Sequence, residues 1–338
     1  MARRQRSPRG AYLRGDGLAP DSLGACGQPS DAKDLLRAHV KSLAFLSDPK
    51  SLAKFALISA GLAASMGLAR MALLGHAWTV CWLASVAVAV WTQHAIAEEV
   101  HDGVHQHIFS RVPLNELASK LYASMIGISF RQFRKEHLAH HRFFGSPADP
   151  DYPKYAEAPC GFTRWYAYFL RNFTGYAVAE RLLRGAGRRQ ANARASDAKG
   201  WAQHPAGTAI AQLSLLGLGS LLVAWPWYFV CWLGPLVTLT YGLTQFRTLL
   251  EHWSPNSWRD PKTGESRVGA LYNLTGRVQR NFFAAQFGYN YHGLHHHYAV
   301  LPNYNLGRLA ELSQRAAPAG MPIHTTTYLA RVREVLSR

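Results

Sequence analysis

Apolar and polar positions along this chain fall into separate blocks. Four long apolar runs stand in two pairs, residues 55–75 with 77–97 and residues 208–224 with 226–249. A hydrocarbon layer about 30 Å thick is crossed by about 20 helical residues, so each run is long enough to span it, the third only just. Arg70 and Arg247 are the only basic residues of the lysine or arginine type inside these windows, each near a run's end. There a long side chain can carry its charge back to the headgroups. Buried helices of soluble proteins rarely run uncharged for so long. The pattern predicts an all-α integral membrane fold with four transmembrane helices in two hairpins.

The remaining segments are polar. Residues 1–30 are rich in Arg, Gly, Pro and Ser with no apolar periodicity, which predicts a flexible arm. From Asp31, residues Leu35, Leu36, Val40 and Leu43 line one face of a short helix suited to a membrane surface. The chain thus divides into a basic arm with an interfacial helix, 1–50, and a membrane domain, 51–338. No apolar stretch follows the first arginines, as a secretory signal requires, and Asp16 and Asp21 speak against an organelle transit peptide. Residues 160–177 mix aromatics with isolated arginines and predict a second interfacial helix, whereas the basic, Gly- and Ala-rich stretch 181–199 reads as a solvated linker.

Charge adds orientation. The chain carries 37 Lys and Arg against 20 Asp and Glu, a net +17, and its mean hydropathy of −0.12 averages over the segregated blocks. Such an excess calls for an anionic partner: a phospholipid surface, an acidic protein or nucleic acid. Nucleic acid accounts for the charge but not for the apolar pairs. The connections within each pair are short and uncharged, so nearly all basic residues lie in the arm, the 98–207 loop and the tail after residue 250. Positive segments stay on the cytoplasmic side, which puts both termini there. High Arg and Ala usage suits a bacterial inner membrane. Cys26, Cys81, Cys160 and Cys231 form no CxxC pair, which removes thiolate zinc sites and a disulfide framework.

The chemistry lies in the histidines, 16 in all. Three clusters stand out: His101 with His105, then His137, His140 and His141, then His292, His295 and His296. Residues three and four apart share a helix face, so each cluster presents a stripe of imidazoles. The first begins just after the second apolar run, the second lies in the 98–207 loop and the third in the tail, so all three face the same predicted side and form a histidine-rich cytoplasmic cap. Neutral imidazole suits iron, copper, zinc and nickel, and eight such groups can hold more than one ion. A metal transporter is the rival reading, but transporters place ligands at the bilayer midplane, where these runs offer only His94. Glu136 precedes His137, so the second cluster is no HExxH protease motif. Asn172-Phe173-Thr174 and Asn273-Leu274-Thr275 match glycosylation sequons but lie on the predicted cytoplasmic side.

HxxxH followed by HxxHH twice, with the words HDGVHQHIF, HLAHHRFFGSPADPDYP, LRNFTG and NYHGLHHHYAVLPNYNL, resembles the membrane fatty acid desaturase superfamily over roughly residues 50–312. His297 departs from the pattern, since relatives usually carry an apolar residue beside the third box. The resemblance implies a di-iron centre (two Fe2+) with O2 as co-substrate and a ninth ligand, for which His252 is the candidate. His39, His76, His94, His107 and His324 stand outside the boxes and are expected to be structural. Asp102, Glu251 and Asn290 are candidates, by adjacency, for orienting the ligand imidazoles. His204-Pro205-Ala206-Gly207 resembles the haem-ligating HPGG of cytochrome b5, but too little unassigned chain surrounds it for that domain. The electrons are therefore expected from a separate ferredoxin or cytochrome b5. The implied activity is desaturation of a fatty acyl chain on a lipid or carrier, since the HxxHH second box favours desaturases over alkane hydroxylases and carotenoid ketolases. The alternative keeps the site but desaturates or hydroxylates a specialised metabolite, for instance one derived from an amino acid.

Overall fold

The structure, a computed structural model, describes residues 38–183, 205–260, 263–276, 286–313 and 323–337. The expected arm, the start of the first interfacial helix, most of the basic linker and Cys26 lie outside these residues.

Helix α1, Asp48–Leu73, opens with a proline in its first turn, where the missing N–H costs nothing. The Asp48 carboxylate accepts the backbone N–H and the hydroxyl of Ser110 at 2.7 and 2.6 Å, tying this end to the loop after the first histidine box. A tight turn through Gly75 and Ala77, both at positive φ, returns the chain into α2, Trp78–Val104. Small side chains let the two helices approach: Ala69 and Ala89 are buried, and the Ser65 and Ser85 hydroxyls meet at 3.1 Å. At 27 residues α2 outruns its apolar window and carries the first box on its last turn.

Helix α3, Val112–Met125, packs beneath that turn. The contact needs Gly103, because a β-carbon there would collide with the Ser119 side chain. Helix α4, Phe130–Phe143, bears the second box, and α5, Phe162–Phe173, exposes Phe162, Tyr166 and Leu170 while burying Trp165. Apolar helix α6 follows, Pro205–Leu222.

The fourth run is not one α-helix. Tyr228–Leu233 and Leu236–Thr240 are wound as wider π-helical turns around Gly234 and Pro235, and only then does α7, Tyr241–His252, begin. Proline offers no N–H and disturbs the ordinary ladder. Gln93 of α2 steadies the region, donating to the Trp232 carbonyl at 2.8 Å and accepting from the Thr240 hydroxyl at 2.6 Å.

The tail departs from the expected all-α fold. Strands β1 (Ser257–Arg259) and β2 (Ser266–Val268) pair antiparallel, and β3 (Leu271–Thr275) pairs in parallel with β4 (Ile323–Thr327). Their β-branched and aromatic residues fit a pleated surface better than a helix. Between them lie a kinked turn, Gln286–Tyr291, helix α8 (His292–His297) with the third box, and α9 (Asn303–Ser313). Gly288 takes φ +95° in the kink, and a side chain there would strike the Asn303 backbone. Helix α10, Tyr328–Leu336, closes the described chain.

Among the described residues two helices, α1 and α2, are long and apolar enough to cross a membrane, and α6 is a shorter apolar one. Their outward faces carry large apolar side chains in the open, Leu57, Val80, Leu83 and Leu213 among them. Water disfavours such surfaces, and a lipid phase would accommodate them. The helices enclose a core of Ile58, Met66, Ile96, Trp227 and Trp232, while a second aromatic core of Phe144, Tyr155, Trp253, Tyr272 and Tyr328 lies around the histidines' polar side.

Candidate metal centre

The three histidine boxes and His252 converge. Helix pitch decides how they divide. Within HxxHH on α4, His137 and His141 stand four apart and project together, while His140 is rotated away from them. His137 and His141 join His101 and His105 from α2 and His295 from α8 in one group. His140 joins His252 at the end of α7 and His292 and His296 of α8 in a second group. Each group offers one nitrogen per residue, all within 4.8 Å of one another. The groups touch, since His141 and His296 stack with ring centroids 4.2 Å apart.

Within the first group the Nε2 atoms of His105 and His137 are 2.9 Å apart, of His137 and His141 3.0 Å, and of His141 and His295 3.1 Å. In the second, His140 and His252 approach at 2.9 Å, His252 and His292 at 3.2 Å, and His292 and His296 at 3.1 Å. Two nitrogens bound at a right angle to one ion, with bonds of about 2.1 Å, stand about 3 Å apart. The spacing is that of ligands sharing an ion. Both ring nitrogens of His101 are buried without a hydrogen-bond partner among the described residues, a costly state unless a metal takes one of them.

Burial also prepares the rings. Desolvation, reinforced by neighbouring imidazoles, holds His105, His137, His292, His295 and His296 far below the ordinary imidazole range and His141 at about 3. These rings are neutral at pH 7, the form that ligates. The donor set, nitrogen throughout with no thiolate, fits paired ions of the iron, copper or zinc type.

The surroundings differ from those expected by adjacency. Asp102 does not orient an imidazole: its carboxylate is held by Lys54 at 2.8 Å and by the Asn303 amide at 2.6 Å. One step along a helix turns a side chain by about 100°, so a neighbour in sequence points elsewhere. Glu251 pairs with Arg247 at 3.5 Å rather than with His252. Asn290 is buried, but among the described residues no hydrogen bond joins it to a ligand ring. The carboxylate that does meet an imidazole is Asp149, with His140 Nδ1 2.9 Å from its Oδ2. It is buried in the loop after α4, accepts the Tyr155 hydroxyl, and accepts the Asp151 backbone N–H at 2.8 Å. The string SPADPD advertised a turn with two acids, but spacing could not say which one folds back. His297 belongs to neither group and lies beside Tyr298. His94 and His107 are buried outside both groups, and His324 stacks on Tyr272.

Fold and site together define a membrane-associated protein with two adjoining groups of histidines, each able to hold a metal ion. The model of the fatty acid desaturase family matches residues 76–327, three-quarters of the sequence, and the chain belongs to that family. The chain is also 31% identical over 91 residues to a beta-carotene ketolase of Paracoccus sp. (strain N81106 / MBIC 01143), a match covering 25% of this chain and 34% of that relative. The chain therefore spans about a third of that relative's length.

Proposed function

We propose that this protein is an O2-dependent desaturase that introduces a C=C bond into a fatty acyl chain on a lipid or carrier. The observation that carries the reading is the sorting of nine imidazoles into two adjoining nitrogen groups. His101, His105, His137, His141 and His295 would hold one ferrous ion and His140, His252, His292 and His296 the other, and with two external electrons such a pair would supply the O2 chemistry needed to remove hydrogen from an unactivated C–H bond. The protein's own part is positional. The rings are kept neutral by burial, Asp149 holds His140 through Nδ1 so that Nε2 faces the second group, and the surrounding aromatic side chains limit water.

The lengths of the apolar runs support four spanning segments, the α6 and π-helical segments forming the second hairpin, and the placement of the Lys and Arg residues and the Arg and Ala usage support a cytoplasmic cap and termini at a bacterial inner membrane. Electrons come from a separate ferredoxin or cytochrome b5, for which the basic cytoplasmic surface is suited. The test is expression in a host fed defined acids, with lipids profiled by mass spectrometry and iron measured in the purified protein. New unsaturated acyl chains and two irons per chain support the reading; unchanged lipids overturn the acyl assignment.

A second reading has its own support. The matched relative is named a ketolase, so the same centre could serve insertion of oxygen into a specialised metabolite instead of desaturation. Labelled dioxygen separates the two: desaturation leaves the label in water, oxygenation leaves it in the product.

A further inference from the structure

Resting on the dinuclear reading of the site, we propose that Arg331, in the C-terminal helix α10, is a positioning residue for His252 and so for the second metal position alone. The family match stops at residue 327, so Arg331 lies beyond the matched stretch. Strand β4, paired in parallel with β3 in the register Tyr272 to His324, runs directly into α10, whose Arg331 reaches the end of α7. The guanidinium is fully buried. Its Nε–H donates to the Leu250 carbonyl at 2.8 Å and a terminal N–H donates to the Trp253 carbonyl. The charge lies 3.7 Å from the Tyr272 ring centroid and 5.4 Å from that of Trp253, and Glu334 approaches a third nitrogen at 2.8 Å.

These carbonyls bracket His252. A helix leaves its last carbonyls without intrahelical partners, and a cation at that end is favoured by the helix dipole. Here the planar fork of arginine spans two of them at once, and the Ala270 N–H takes the His252 carbonyl at 2.9 Å. The backbone on either side of His252 is thereby fixed, with its Nε2 2.9 Å from that of His140 and 3.2 Å from that of His292. His252 is the one ligand of the second group that stands alone on its element, with no second box histidine to share the placement. It depends most on what holds the helix end.

The experiment compares wild type with Arg331→Met, which keeps bulk but loses the donors, and with Arg331→Lys, whose ammonium does not reproduce the two-carbonyl fork. Full-length protein is purified in detergent, loaded with Fe2+ without oxygen, and the ions are counted by elemental analysis as a chelator removes them. Wild type holds two. In both variants one ion is expected to keep its wild-type release and the other to bind about 10- to 100-fold more weakly, the usual effect of disturbing a ligand's supporting shell. In the His252→Ala background, Arg331→Met is expected to change metal release no further, because the arginine acts through that ring. Equal weakening of both ions, no weakening of either, or an additive loss in the double variant overturns the proposal. A variant too unstable to purify with either ion counts as equal loss and overturns it as well. Wild type that binds fewer than two ions sinks the dinuclear reading itself, which marks that failure apart from the others.

Discussion

The two histidine groups are built from the same ring and differ in how the chain holds it. The first takes five nitrogens, four of them as i,i+4 pairs on the long helices α2 and α4, with His295 added from α8. The second takes four, and only His292 and His296 form such a pair. The first group therefore inherits its geometry from helix pitch. The second has to be assembled from the ends of three elements, and its extra supports show it: Asp149 on His140, the Phe144 ring 5.2 Å from that of His252, and Arg331 at the foot of α7. The difference teaches that a regular helix can set a ligand pair without help, whereas a lone ligand needs a scaffold of its own.

The largest expected effect breaks the second group outright. His140→Ala removes an imidazole from the group and leaves the Asp149 carboxylate buried against an empty space. Turnover is expected to vanish, with one iron per chain retained by the first group. Elemental analysis with oxygen-uptake assays checks this, and a variant keeping both irons and full activity would contradict it.

The first group answers to a different substitution. Lys54 of α1 is buried and pairs with both Glu99 and Asp102 of α2, and its ammonium also lies 5.1 Å from the Phe287 ring centroid. Asp102 in turn takes the Asn303 amide, so α1, the first box and the segment after the third box are joined through one charge. Removing one partner of a buried ion pair costs about 3–5 kcal/mol. Lys54→Met is expected to lower stability by that amount, read by thermal unfolding in detergent, and to disturb the His101 end of the first group. Lys54→Met paired with Glu99→Gln should recover part of the loss; a double variant no better than the single one argues against the pairing.

Asp149→Asn sharpens the contrast at smaller cost. The amide keeps the shape of the loop but no longer supplies a carboxylate to the His140 ring. Affinity at the second position is expected to fall about 10- to 100-fold, measured by chelator competition, while the first ion is released as in wild type. Equal changes at both positions would show that the groups are mechanically one.

Much of this was legible in the residues, for a physical reason. HxxxH and HxxHH state their geometry in their spacing, because the i,i+4 relation survives any tertiary context once the segment is helical. The lengths of the first two apolar runs likewise announced α1 and α2. What could not be read belongs to contacts between distant segments or to backbone detail. Asp102 and Glu251 sit beside ligands in sequence yet point to Lys54 and Arg247. Asp149 folds back from a turn whose path depends on Tyr155. The π-helical winding around Gly234 and Pro235 interrupts a run whose hydropathy is uniform, and the β3–β4 pair joins residues about fifty apart with no periodicity to signal the match.

The smallest effect tests whether the comparison holds where the groups share a support. Helix α4 supplies ligands to both, and its first turn is capped by Ser129, whose hydroxyl accepts the Gln132 N–H at 3.4 Å. Loss of a serine cap costs about 1 kcal/mol, and the length of this contact places it at the weak end. Ser129→Ala should therefore lower the unfolding midpoint slightly and loosen His137, His140 and His141 together. Both ions are expected to be released faster by the same small factor. A loss confined to one ion would mean that α4 does not move as a unit, and the division of labour would then lie inside that helix rather than between the elements that meet it.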